Sequence, residues 1–332
     1  MLEHGGQLNQ AVQRYTIPVE NWLDLSTGIN PNGWLINTPI PNSVWSQLPQ
    51  NNDGLLTAAK QYYQSDSILP VAGSQAGIQT LPTLRPHSRV GVLSPSYAEH
   101  AEAWIKMGHS VIQLTPSSID KQIERLDVLI IINPNNPTGE FFTPQQLLRW
   151  HENLASRGGW LIVDEAFMDI TTEQSLSPLC PKSGLIVLRS IGKFFGLAGL
   201  RVGFVLAEAP LLTRLAEHLG PWPIATASRF ITQYALADHD WQQRNRQQLQ
   251  AQGETLHSLL EKSGLKPQGS CSLFRWVQTS SAEQIHQHLA KQGILTRLFS
   301  EPNSLRFGLA KTHDDWQRLH GALNSLKILV QT

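Results

Sequence analysis

Three apolar runs in this chain stop abruptly, and each stops at residues able to do chemistry. VLIIINPNNPTGE (128–140) breaks at a Pro/Asn/Gly cluster. GGWLIVDEAFMDI (158–170) passes from apolar residues into Asp164 and Glu165, and LIVLRSIGKFFG (185–196) reaches Lys193. The runs are continuous rather than alternating, as in strands covered on both faces of an α/β sheet. Ligands of such sheets bind outside the carboxyl ends of the strands. Asn136, Asp164 and Lys193 all lie just past such ends, which makes them candidate site residues.

Strands and helices alternate from about 50 to 210, which predicts a large lobe with a mostly parallel sheet. Short strands are expected at 69–72, 89–94 and 110–114, with helices at 97–107 and 144–157. Thr143 is a good N-cap for the second helix, Pro144 suits its first turn, and Gly158 ends it. Gly73, Ser74 and Gln75 open a further helix after the 69–72 strand. Residues 1–30 are polar and irregular and read as an arm. After Pro210 the pattern changes. A polar-rich helical stretch over 228–263 carries an apolar stripe through Phe230, Tyr234, Trp241 and Leu249. Strands at 271–278 and 305–309 and a helix at 281–291 complete a smaller α+β lobe. The expected division is an arm over 1–45 joining the small lobe, a large domain over 46–210 and a small domain over 211–332. No internal repeat or low-complexity segment interrupts it.

At 332 residues the chain exceeds one typical core, in keeping with two lobes. Lys+Arg and Asp+Glu balance at 26 each, so charge makes no case for nucleic acid or an anionic membrane as partner. Cys180 and Cys271 are too few for a disulfide framework or a zinc site. No basic region followed by an apolar run opens the chain, and no apolar stretch is long enough for a membrane span. The expected setting is cytoplasmic. His286 and His288 would diverge on a helix and are expected on a solvated face rather than on a metal.

The segment SIGKFFGLAGLRVG (190–203) carries the chemistry furthest. A buried lysine near a cation titrates low and becomes a nucleophile for Schiff-base chemistry. Lys193 sits among small residues with Arg201 eight positions later. Gly192, Gly196, Ala198 and Gly199 let a planar ligand approach the backbone. Ser190 and Arg201 suit a phosphate, and so do the backbone N–H groups that open the helix at Gly73, Ser74 and Gln75. A lysine for an aldehyde beside a phosphate cradle is what pyridoxal phosphate (PLP) requires. Taken alone, the segment also reads as a Gly-rich turn with a surface lysine.

NPNNPTG, DEAF and SIGKFFGLAGLRVG together resemble the fold-type I PLP enzymes, the aspartate aminotransferase superfamily. HGGQL (4–8), WLDLSTGINPNGW (22–34), LPQNNDGLLTAAKQYY (48–63) and VAGSQAGIQTLP (71–82) narrow the resemblance to the threonine-phosphate decarboxylases of cobalamin biosynthesis. Histidinol-phosphate aminotransferases are the nearest alternative, and a non-catalytic PLP-fold binding protein is a third reading that an intact Lys193 argues against. The resemblance implies a PLP-dependent lyase that takes a small phosphorylated amino acid and works as a homodimer. It implies that Lys193 captures the PLP aldehyde, that Asp164 faces the ring nitrogen and keeps it protonated, and that Asn136 donates to the ring 3-oxygen. Tyr97 matches the aromatic that stacks on the ring, although a helix-start aromatic packed in the core reads the same. Arg306 matches the arginine that holds the substrate α-carboxylate. Arg297 matches the one for the distal phosphate, and His4 and Asn30 match residues that close over the substrate. Two positions depart from the superfamily. Phe167 stands where many aminotransferases have tyrosine. Gln47-Leu48-Pro49 lacks the tyrosine that usually reaches the neighbouring subunit's cofactor phosphate. Decarboxylation and transamination differ in which Cα bond stands upright on the ring, a torsion that a sequence does not encode.

Overall fold

The computed structural model describes residues 4–330. The chain opens with α1 (Leu8–Tyr15) and β1 (Leu23–Asp24), then runs through α2 (Leu55–Tyr63), β2 (Ile68–Val71), α3 (Ser74–Thr80), β3 (Arg89–Leu93) and α4 (Ala98–Lys106). There follow β4 (Ser110–Leu114), the one-turn α5 (Ile119–Gln122), β5 (Val128–Ile132), α6 (Pro144–Ala155), β6 (Trp160–Asp164), β7 (Leu185–Ser190) and β8 (Gly203–Leu206). Helices α7 (Ala209–Leu219), α8 (Thr226–Ala237) and α9 (His239–Lys262) lead into β9 (Pro267–Gln268) and β10 (Phe274–Gln278). The chain closes with α10 (Ala282–Ala290), β11 (Ile294–Leu295), β12 (Arg297–Phe299), β13 (Ser304–Gly308) and α11 (His313–Val330).

These elements form two compact units. The larger holds residues 33–136 and 141–245. Its seven-stranded sheet has the order β2-β8-β7-β6-β5-β3-β4, with β8 antiparallel to both neighbours and the other strands parallel to one another. Every residue of β5, β7 and β8 is buried, which explains why their sequences are continuous rather than alternating. Ile130, Ile162, Ile186, Leu188 and Val205 form the core with Ile78 and Leu81 from the α3 side and Trp104 from α4. Helix α6 begins as its sequence predicts. Gln146 N–H donates to Thr143 Oγ1, and the Gln146 side chain accepts from Thr143 N–H.

The smaller unit comprises the chain up to Asn32, residues 137–140 and the chain from Arg246 onward. Its sheet is antiparallel in the order β12-β13-β10-β9, and β1 pairs in parallel with β11.

This division differs from the expected one. The large unit extends to Asn245 rather than ending at 210, and it also takes residues 33–45. Helix α8 belongs there because buried Arg229 pairs with Asp53 beside α2 at 2.5 Å and donates to Gln50 O. The buried face of α8 is Arg229, Thr232, Ala235 and Leu236; of the expected stripe Leu249 is buried, Trp241 packs on Phe194 and Phe195, and Phe230 and Tyr234 are half-buried. The 228–263 stretch is two helices. Asp238 leaves helical geometry and its carboxylate caps α9 by accepting from Trp241 N–H. Residues 4–30 are more ordered than their polarity suggests, with α1 and β1 formed and Leu23 and Leu25 buried. His286 and His288 are half-buried and bond to Thr296 Oγ1 and Ser325 Oγ, so they do not form a solvated face.

Candidate active site

The large unit collects nine of the expected site residues along the carboxyl edge of its sheet. Register does the alignment. Asp164 at the end of β6 stands opposite Ile132 of β5 and Leu188 of β7, so the residues that follow each strand emerge at one level. Ser190 pairs with Gly203, which pairs in turn with Val71, two residues before Gly73. A side chain at Gly203 would come within 2.5 Å of Ser74 N and 2.8 Å of Gly73 C, so only glycine lets β8 lie this close to the start of α3.

Asp164 is buried, and both of its oxygens are engaged. One accepts from Ala166 N–H at 3.0 Å, and the other lies 2.9 Å from Nε2 of buried His100. His100 is a site residue that the sequence reading missed. Its signal was its place in SPSYAEH three positions after Tyr97, close to one helical turn on. The two rings meet edge to face at 6.3 Å. The Tyr97 hydroxyl donates to Gln75 Oε1 at 3.3 Å. Burial, then the Glu99 and Asp164 charges, push the Tyr97 phenol up to about 12, so it stays protonated through neutral pH.

Lys193 follows β7 on a half-buried turn, with Nζ 5.6 Å from the centre of the Phe167 ring. Phe167 is thus an apolar and cation–π wall for the ammonium. Asn136 stands after β5 in a loop held by two other asparagines. Asn133 exchanges hydrogen bonds with the backbone of Phe142, both at 2.9 Å. Asn135 donates to Pro95 O and accepts from Ser96 Oγ. These bonds tie the β5 loop to the segment that carries Tyr97.

The residues expected to cradle a phosphate sit at the other end of this row. The Arg201 guanidinium lies at Gly73, where an added Cβ would come within 2.9 Å of it. Ser190 Oγ accepts from Gly192 N–H at 3.2 Å, which leaves its own hydrogen to donate elsewhere. Ser74 and Gln75 present the opening N–H groups of α3, whereas Gly73 N–H, expected with them, is taken by Val71 O at 2.7 Å.

A buried ion network props the same edge from behind. Arg189, just before Ser190, pairs with Glu165 at 2.6 Å and with Asp169. Glu165 accepts from Leu176 N–H and Asp169 from the Tyr62 hydroxyl. Burial opposes the Arg189 charge, but Asp169 and Glu165 outweigh it and raise its pKa. The network binds the residue after Asp164 to the residue before Ser190. No local sequence pattern announces it.

The small unit holds the other four expected residues. Arg306 on β13 is buried, donates to Ser26 O at 2.7 Å and lies over the Phe274 ring. Arg297 on β12 stands directly opposite it in the antiparallel register and donates to His4 O at 3.1 Å. Burial, then the charge of Arg297, push Arg306 down to about 10. Like charges placed opposite on paired strands repel, so the pair favours an anion. Asn30 is buried, and its side chain accepts from Asn32 N–H at 2.9 Å. A cavity beside Arg297 is also lined by His4, Arg14, His286 and Thr296. Arg14 and His286 were not expected there.

Residues 48–323 match the family described as Aminotransferase class I and II. The chain belongs to that family. It is 50% identical to a threonine-phosphate decarboxylase of Pseudomonas aeruginosa, with 98% of each chain covered. It is 38% identical to a Sinorhizobium protein of the same name, again over 98% of both. The fold superimposes with a TM-score of 0.82 on the histidinol-phosphate aminotransferase of Clostridium acetobutylicum, covering 92% of this chain and 99% of that one at 21% identity. Among the described residues, no group of three or more His, Cys, Asp or Glu side chains is arranged to hold a metal ion, and no helix is long and apolar enough to cross a membrane.

Proposed function

We propose that this protein is a PLP-dependent decarboxylase of threonine O-3-phosphate, forming aminopropanol phosphate. The observation that carries the substrate class is the Arg297–Arg306 pair, a site built for two anionic groups. Threonine phosphate has both, an α-carboxylate and a phosphate. Histidinol phosphate lacks the carboxylate, but the aminotransferase must also seat 2-oxoglutarate and glutamate, which carry two anionic groups, so the pair supports the substrate class and does not by itself choose the reaction. The two relatives named threonine-phosphate decarboxylase support decarboxylation.

The large unit fits PLP. The test is the spacing already described: a buried carboxylate, a lysine on the next strand end and an arginine-backed cradle that a Cβ at Gly73 would fill. PLP supplies an aldehyde for covalent capture of an amine and a ring that takes up the electron pair of a breaking Cα bond. Lys193 holds the aldehyde end, and Asn136 donates to the ring oxygen. Asp164, oriented by His100 and Ala166 N–H, holds a proton at the ring nitrogen. Ser190, Arg201 and the Gly73–Gln75 segment hold the phosphate, and Tyr97 covers one ring face. In the small unit Arg306 orients the α-carboxylate and Arg297 grips the substrate phosphate, with His4 and Asn30 closing over it.

One incubation separates the readings. Threonine phosphate should release carbon dioxide without any keto acid. A requirement for 2-oxoglutarate, with glutamate as product, would replace this reading with the aminotransferase. The arginines should also fail differently. Arg297→Ala should lose the preference for threonine phosphate over threonine by about one to two powers of ten, the worth of a charge-assisted contact of roughly 1.5–3 kcal/mol. Arg306→Ala should impair both substrates alike, since orientation as well as affinity is lost. Selectivity unchanged in Arg297→Ala would move the phosphate site to His4 and Asn30.

A homodimer is part of this proposal. Leu35, Trp45, Leu48 and Trp222 of the large unit are each more than half exposed, an apolar display that suits a second copy of the chain. Sedimentation at micromolar concentration should give twice the chain mass. A fully active monomer would overturn this assignment.

A further inference from the structure

Tyr97 is held by a hydrogen-bond relay that runs from its hydroxyl through Gln75 to Glu99. Gln75 and Gln79 lie four residues apart on α3, and both side-chain amides donate to the same oxygen of Glu99, at 2.6 and 3.0 Å. Glu99 stands on the first turn of α4, two residues after Tyr97. An ionised carboxylate only accepts hydrogen bonds. The Gln75 NH2 must therefore face Glu99, which turns its carbonyl oxygen toward the Tyr97 hydroxyl, 3.3 Å away. The orientation of an amide is usually ambiguous. Here the carboxylate decides it, and the phenol becomes an obligate donor along the relay.

We propose that Glu99 is a positioning residue: by fixing the Gln75 amide it anchors the Tyr97 hydroxyl and so sets the height and tilt of the ring that covers the cofactor. The proposal rests on the reading of Tyr97 as the ring-face residue and deepens it. Glu99 touches neither cofactor nor substrate in this scheme. It acts through Gln75, whose backbone serves the phosphate end while its side chain serves the ring face. One carboxylate thus ties the phosphate-binding helix to the stacking residue.

The test is PLP affinity and the visible circular dichroism of the bound cofactor, measured on full-length holoenzymes equilibrated with known free PLP. Glu99→Ala and Tyr97→Phe should each weaken PLP by about 3- to 10-fold, the worth of one lost hydrogen bond, and should change the dichroic band alike. The double variant should be no weaker than either single, because both break one relay. Glu99→Gln retains an accepting oxygen and should stay within about twofold of wild type. Gln75→Leu cuts the relay at its centre and should also be non-additive with Tyr97→Phe, which keeps the test open if Glu99→Ala fails to fold. Losses that multiply in the double variants, or a Glu99→Ala protein with unchanged affinity and dichroism, would overturn the positioning role. Tyr97→Ala separates the two layers. Weakened PLP with an indifferent Glu99 refutes only the relay, whereas unchanged PLP removes Tyr97 from the ring and the proposal with it.

Discussion

Lys193→Ala should abolish turnover and leave a protein that no longer retains PLP covalently. The lysine follows the last strand of the parallel run, half-buried over Phe167, with Ser190 and Arg201 as the proposed phosphate anchor. A primary amine at that position is the one group in the row able to capture an aldehyde. Alanine removes it and disturbs little else, because the turn is held by backbone bonds such as Gly196 N–H to Lys193 O at 3.2 Å. The phosphate cradle remains, so weak non-covalent binding should persist. Borohydride reduction of the wild-type holoenzyme followed by peptide mapping should label the peptide containing Lys193. A label on any other lysine would displace the assignment of the whole site.

Asp164→Asn should keep PLP and lose at least about a hundredfold in turnover, the usual cost of removing one preorganised electrostatic partner. The substitution is nearly isosteric. The amide keeps its oxygen for Ala166 N–H and turns its NH2 toward His100 Nε2, which accepts it in the other neutral tautomer, so the fold has little reason to change. What vanishes is the negative charge that keeps a proton on the ring nitrogen. Burial makes that charge count, since water is not there to screen it. Steady-state rates with threonine phosphate, beside cofactor content by absorbance, check both halves. Near-normal turnover would place Asp164 away from the ring.

Much of this site was legible in the sequence because the fold turns local pattern into position. Continuous apolar runs meant doubly covered strands, and the residue type at each strand end then marked the site edge. Asp164, Lys193 and Asn136 came from that logic alone. The resemblance added Arg297 and Arg306, but only the register of β12 on β13 made them face each other. His100 was missed because its partner lies 64 residues away and its helix reads as ordinary. The Arg189 network was missed for the same reason, since three charges from separate segments meet only after the sheet forms. The unit boundary was misplaced because composition changes at Pro210, whereas packing is decided by the Arg229–Asp53 pair further on. Polarity likewise hid β1, a two-residue strand whose pairing partner lies near the other end of the chain.

That pairing has a bearing on how the protein comes to be made. Leu23 and Asp24 leave the ribosome long before Ile294 and Leu295, the residues they pair with. The seven-stranded sheet lies entirely between residues 68 and 206 and has all of its strands well before then. Domains of growing chains tend to fold in the order they emerge. Strand β1 must therefore wait for its partner while the sheet of the large unit assembles. Closing so long a loop costs only logarithmically more than closing a short one, so the delay is one of sequence order rather than of energy. The small unit's β1–β11 pair is thus completed only after the sheet of the large unit has all of its strands.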